Sequence, residues 1–72
     1  MPKLPSLTPR KLIKALEKGD FVFARQKGSH RAYTKGNLIV IIPFHNNDLK
    51  TGTLRSIIEQ AGYTPEQFIE LL

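Results

Sequence analysis

The chain has no cysteine among its 72 residues. Disulfides and cysteine-based metal sites are therefore excluded, and nothing calls for an oxidising compartment. Long apolar runs are missing too. No segment approaches the ~20 residues of a membrane span, and Met1 to Pro5 lack the apolar core of a signal peptide. The expectation is a soluble cytoplasmic protein with no membrane association. No glycine-rich phosphate loop, repeat, low-complexity tract or linker interrupts the chain, so residues 1–72 read as one domain. A domain this small buries only about 60% of its unfolded surface; its 40% apolar content supports a small core.

Acidic residues are scarce and unevenly placed. Through Arg55 the chain carries all eleven Lys and Arg against Glu17, Asp20 and Asp48, a net of +8; beyond it stand only Glu59, Glu66 and Glu70. A basic body with an acidic tail points to a polyanion bound by the first three-quarters of the chain. A solvated, merely solubilising surface is the plainer reading of the same charge.

Thr8-Pro9 is a helix start, a capping hydroxyl followed by proline at the first helical position. Pro9, Leu12, Ile13 and Leu16 recur on one face, Lys11, Lys14 and Lys18 lie on the other, and Gly19 is the expected C′ residue. Phe21 to Lys27 reads as a strand, Gly28-Ser29 as a type II′ turn, and His30 to Lys35 as the returning strand. Gly36-Asn37 is a second tight turn, and Leu38 to Ile42 form a third strand ended by Pro43. After a polar loop over Phe44 to Gly52, Thr53 caps a second helix with Leu54, Ile57, Ile58 and Ala61 on its inner face, stopped by Gly62. Thr64-Pro65-Glu66-Gln67 combines a capping box with N1 proline, so a short last helix holds Phe68, Ile69 and Leu72. The predicted fold is α+β: an α-β-β-β-α two-layer sandwich, with a three-stranded antiparallel meander and both main helices on one face. Double-stranded RNA-binding domains share this order, which by itself assigns no function.

A two-residue turn at Gly28-Ser29 sets Lys27 opposite His30, Gln26 opposite Arg31, and Arg25 opposite Ala32. Alternation then brings Arg25, Lys27 and His30 out on one face, with Val22, Ala24, Tyr33, Val40 and Ile42 on the other. A slip of one residue would exchange the two. Imidazole moves protons near neutral pH, and two cations beside it can hold a phosphate. RNA carries its own nucleophile, the 2′-hydroxyl, so positioning, proton transfer and charge stabilisation suffice without a metal. An ordinary polar histidine at a strand edge is the plainer alternative. His45 is a second candidate, as acid–base group, substrate contact or cap of a backbone turn. A metal site from His30, His45 and Asp48 matches no zinc spacing, and Ser29 is better read as a turn residue than as a nucleophile.

Gly28-Ser29-His30 after Arg25-Gln26-Lys27, then Pro43-Phe44-His45-Asn46, then Leu49-Lys50-Thr51-Gly52-Thr53-Leu54-Arg55-Ser56-Ile57 resemble, in order, segments of the HicA toxin family. The similarity runs from about Leu7 to Ala61 and includes a basic helix closed before Phe21. It implies a fold like that of double-stranded RNA-binding domains and an mRNA-cleaving toxin of a toxin–antitoxin pair. It further implies a catalytic histidine, which maps onto His30, and a HicB-like antitoxin partner covering that histidine. The expectation is thus a metal-independent endoribonuclease with no cofactor. Arg25 and Lys27 would sit near the phosphate, with Lys11, Lys14, Arg31 and Lys35 tracking the RNA backbone. The alternatives are a non-catalytic double-stranded RNA-binding module that uses the lysines of the first helix, and a protein whose basic surface meets an acidic partner.

Overall fold

Thr8 and Pro9 do start a helix. In the computed structural model, which describes residues 3–72, α1 runs Pro9–Lys18 and the Thr8 hydroxyl accepts a hydrogen bond from the Lys11 N–H. Met1 and Pro2, which open the stretch read as lacking a leader, lie outside the described residues. Pro9, Leu12, Ile13 and Leu16 are buried, joined by Ala15, while Lys11, Lys14 and Lys18 stay exposed.

The end of α1 differs from the expectation. Gly19 has φ −87°, and the left-handed residue is Asp20, at φ +72°. The Asp20 N–H donates to the Glu17 carbonyl and the Phe21 N–H to the Leu16 carbonyl, both at 3.0 Å. These are the paired bonds of a Schellman motif with Asp20 at C′, and the buried Leu16 and Phe21 occupy the positions of its hydrophobic contact. Asp tolerates the left-handed region better than most side chains. Gly19 is required for space instead. Tyr63 lies against it, its hydroxyl 3.4 Å from the Gly19 carbonyl oxygen, and a Cβ at Gly19 would run into that hydroxyl. Phe21 consequently closes the helix rather than opening the strand.

The strands β1 (Val22–Lys27), β2 (His30–Lys35) and β3 (Leu38–Pro43) pair antiparallel in the order β1-β2-β3. Tyr33, Val40 and Ile42 are buried on the helix side. No element among the described residues covers the opposite face, with Val22 60%, Ile39 53% and Ile41 43% exposed. Near the turn the register is as predicted; farther along, an irregularity between Phe23 and Arg25 pairs Phe23 with Tyr33 and Val22 with Thr34. Ala24 is thus the extra residue of a β-bulge, which shifts the alternation by one. Val22 accordingly does not share the Tyr33 face as expected, and Ala24 has no partner across the ladder. Phe23 shares that face instead, with its ring edge-on to Tyr33 at 5.7 Å.

The second helix, α2, starts three residues early, at Thr51–Gln60, and Thr53 lies inside it. Lys50 is its N-cap and supplies no side-chain bond. Leu49 and Leu54 occupy the N′ and N4 positions of a hydrophobic staple, both buried, and the Leu49 N–H is held by the Leu7 carbonyl at 2.7 Å. Burial of Leu49 sets this helix start, where a hydroxyl cap was expected. Leu54, Ile57, Ile58 and Ala61 are buried as predicted. In α3 (Pro65–Ile69) the Thr64–Gln67 capping box is complete and Phe68 is fully buried. Leu72, expected within this helix, lies beyond its end and is 46% exposed, while Leu71 packs against the core.

One core cluster takes side chains from all three helices and from β2 and β3. The shortest extent, 17 Å, leaves room for one helical layer on one sheet, the expected α+β sandwich. Among the described residues no helix is long and apolar enough to cross a membrane.

Gly19→Ala should destabilise the domain by about 1–3 kcal/mol through overpacking, or several degrees in Tm. Thermal melting checks this, and adding Tyr63→Phe, which removes the clashing oxygen, should recover part of the loss.

Candidate active site

Gly28 and Ser29 form the turn that places His30. Gly28 sits at φ +58° while Ser29 stays in the negative-φ region, the pattern of a II′ turn. Lys27 is therefore directly across from His30, Gln26 from Arg31, and Arg25 from Ala32. On the far side of β2, His30 faces Pro43 and Ala32 faces Ile41.

This register assembles a cleft of about 510 Å³ on the uncovered face of the sheet, lined by Arg25, Lys27, His30, Ala32, Ile41 and the turn. Arg25, Lys27 and His30 are exposed along its wall, and none of the described residues lining it is a carboxylate. Ala32 and Ile41 form its apolar floor. Arg25, Ala32 and Ile41 stand in one cross-strand row, and the small Ala32 side chain leaves the hollow between its neighbours. Neither Ala32 nor Ile41 stood out in the sequence as a site residue. The signal was the alternation that buries Val40 and Ile42 and so turns Ile41 outward.

The turn is braced from behind. The Gln26 side-chain amide donates to the Gly28 carbonyl at 3.0 Å, and the Phe44 N–H donates to the Ser29 carbonyl at 2.6 Å. Both carbonyls of the turn are thereby occupied, and the chain after β3 is drawn against the hairpin. Such bracing limits the freedom of the backbone that carries His30.

The other candidate residues divide into separate groups. Arg31, next to His30, projects to the opposite face, where its Nε donates to Gln26 Oε1 at 3.0 Å and its guanidinium carbon lies 3.8 Å from the Phe44 ring centroid. Lys11 and Lys14 line a hollow with Arg31 there, away from the His30 cleft. Lys35 is at the other end of β2, roughly 17 Å along the strand at ~3.3 Å per residue, with its Nζ 5.9 Å from the Phe21 ring. His45 lines a third hollow with Asp48 and Lys50. Its Nδ1 accepts the Asn47 N–H at 3.1 Å, so the neutral ring carries its proton on Nε2 and caps a backbone turn. Among the described residues no three His, Cys, Asp or Glu side chains gather as a metal site, so His30, His45 and Asp48 do not converge.

The family model for the HicA toxin of bacterial toxin–antitoxin systems matches residues 9–63, a span from the first residue of α1 through α2 to Tyr63. No curated protein matches the chain.

Nothing surrounds the Cβ position of Gly28 within 4 Å, so replacement by Ala tests the backbone alone. Gly28→Ala should cost at least about 1–2 kcal/mol for placing an L-residue in the left-handed region. The His30 ring resonances should shift with it, read by thermal melting and NMR.

Proposed function

The chain belongs to the HicA toxin family of bacterial toxin–antitoxin systems, and from that premise we propose that it is an endoribonuclease cleaving mRNA through His30. The observation that carries this reading is the cross-strand pair Lys27–His30, with Arg25 in the same open cleft. A phosphodiester laid in that cleft meets an imidazole and two cations at once.

The substrate's 2′-hydroxyl is the nucleophile. Its oxygen forms a bond to phosphorus as the bond to the 5′-oxygen breaks, leaving a 2′,3′-cyclic phosphate and a free 5′-hydroxyl. His30 handles one of the two protons, taking it from the 2′-hydroxyl as base or delivering it to the 5′-oxygen as acid, and solvent water takes or supplies the other. Lys27 and Arg25 offset charge building on the non-bridging oxygens, and the Ala32–Ile41 floor receives a base or ribose edge. The reaction requires no metal or cofactor. His45, tied to its own turn, contributes as a substrate contact beyond β3 or as a second acid–base group brought in by the bound RNA. A HicB-like antitoxin would silence the enzyme by covering the His30 cleft, and the toxin would act in the cytoplasm, where mRNA is translated.

General acid–base participation is worth typically 10²–10⁴-fold, so His30→Ala should lower RNA cleavage by about that factor. EDTA should leave the wild-type rate unchanged, and a 2′-O-methyl RNA should not be cut. Equal cleavage by wild type and His30→Ala would remove His30 from the chemistry. Duplex RNA binding without turnover would turn the assignment to a non-catalytic double-stranded RNA-binding module.

A further inference from the structure

On the helix side of β2, behind His30, a second hollow of about 430 Å³ is lined by Arg10, Lys11, Lys14, Glu17, Arg31 and Phe44, among others. Two guanidiniums share the Phe44 ring, Arg31 at 3.8 Å and Arg10 at 5.1 Å from its centroid. The ring offsets part of their charge and restrains both side chains, an interaction of about 0.5–2 kcal/mol where desolvated. Arg31 uses its Nε on Gln26, which leaves the terminal nitrogens of its fork available for an anion. Among the residues lining the hollow, Glu17 is the one carboxylate against four cations. Arg10, absent from the residues singled out by sequence, becomes significant only through this convergence. Held guanidiniums of like charge are stabilised by a shared anion, and their planar donors match phosphate oxygens better than ammonium groups do.

We infer that this hollow is a second phosphate subsite, which holds the backbone of a single-stranded RNA some nucleotides away from the bond cut at His30. The inference rests on RNA being the substrate of the His30 cleft. Arg31 and His30 are consecutive residues of one strand and so point to opposite faces. An RNA that occupies both sites must therefore wrap the hairpin end of the sheet, and a very short RNA cannot reach both. The two sites also share a frame. Gln26 joins Arg31 to the Gly28 carbonyl, and Phe44 joins the arginine platform to the Ser29 carbonyl. Filling the rear hollow therefore steadies the turn that carries His30.

The test compares a labelled trinucleotide with a labelled dodecamer, both single-stranded, by fluorescence anisotropy across a salt series, in the His30→Ala background to prevent turnover. Arg10 is exposed, so Arg10→Gln removes charge with little risk to folding; the half-buried Arg31 is probed by Arg31→Lys, which keeps the charge and loses the fork. Arg10→Gln should weaken dodecamer binding several-fold and reduce its salt slope by about 0.7 for each phosphate no longer neutralised. Trinucleotide binding should be unchanged. Arg31→Lys should act in the same direction. In the His30-containing enzyme, Arg10→Gln should raise KM for long RNA while kcat for the trinucleotide stays constant. Unaltered dodecamer affinity and slope in Arg10→Gln would overturn the subsite, as would equal weakening of both RNAs. So would a hollow that loses affinity for polyglutamate instead of RNA, which would assign it to an acidic protein. Dodecamer binding that depends on Arg10, in a wild-type protein that cleaves nothing, would refute the nuclease reading and leave this subsite standing.

Discussion

The pairing of Lys27 with His30 across a two-residue turn is the constraint on which the rest of the site depends. A hairpin register is quantised, because a shift of one residue exchanges the two faces of a strand. The II′ turn at Gly28-Ser29 selects one register, and its consequences run outward. Arg25, Lys27 and His30 share a face, Ala32 and Ile41 form the floor between them, and Arg31 is sent to the other side. The bulge at Ala24 absorbs a mismatch farther along β1 without disturbing these pairs near the turn.

The two faces of the meander are used differently. The helix side is mostly core: Tyr33, Val40 and Ile42 pack under α1 and α2, and the end near the hairpin, with Arg31 and Phe44, reaches a hollow. Among the described residues no layer covers the other side, so apolar residues stand exposed between the basic groups. That exposure weakens a small domain's hydrophobic balance. It is also what leaves the His30 imidazole, its neighbouring cations and an apolar floor accessible to a long polymer. The carbonyls of the turn, each bonded from behind, make this open surface more rigid than an unsupported hairpin.

Much of the fold was legible because its signals are local. A Thr-Pro start, two Gly-led hairpin turns and a capping box act through adjacent backbone groups, and the structure repeats them at Thr8, Gly28, Gly36 and Thr64. The signals that misled were those whose cause lies far along the chain. Gly19 resembled a left-handed cap, yet it is small because Tyr63 packs on it, and the cap falls to Asp20. Thr53 resembled an N-cap, yet burial of Leu49 starts α2 earlier. Leu72 fits the apolar spacing of a longer last helix, but α3 ends at Ile69 and Leu71 reaches the core instead.

The sequence by itself determined the order of elements, the hairpin register near the turn and the grouping of Arg25, Lys27 and His30, because turn chemistry and two-residue periodicity act over a few bonds. Only the tertiary structure decided that Ala32 and Ile41 floor the cleft and that His45 occupies a separate hollow. It also decided that Arg10, from α1, and Arg31, from β2, meet on one aromatic ring supplied by the segment after β3. Those contacts join residues distant in sequence, and their geometry is set by how a helix, a strand and a loop pack against one core.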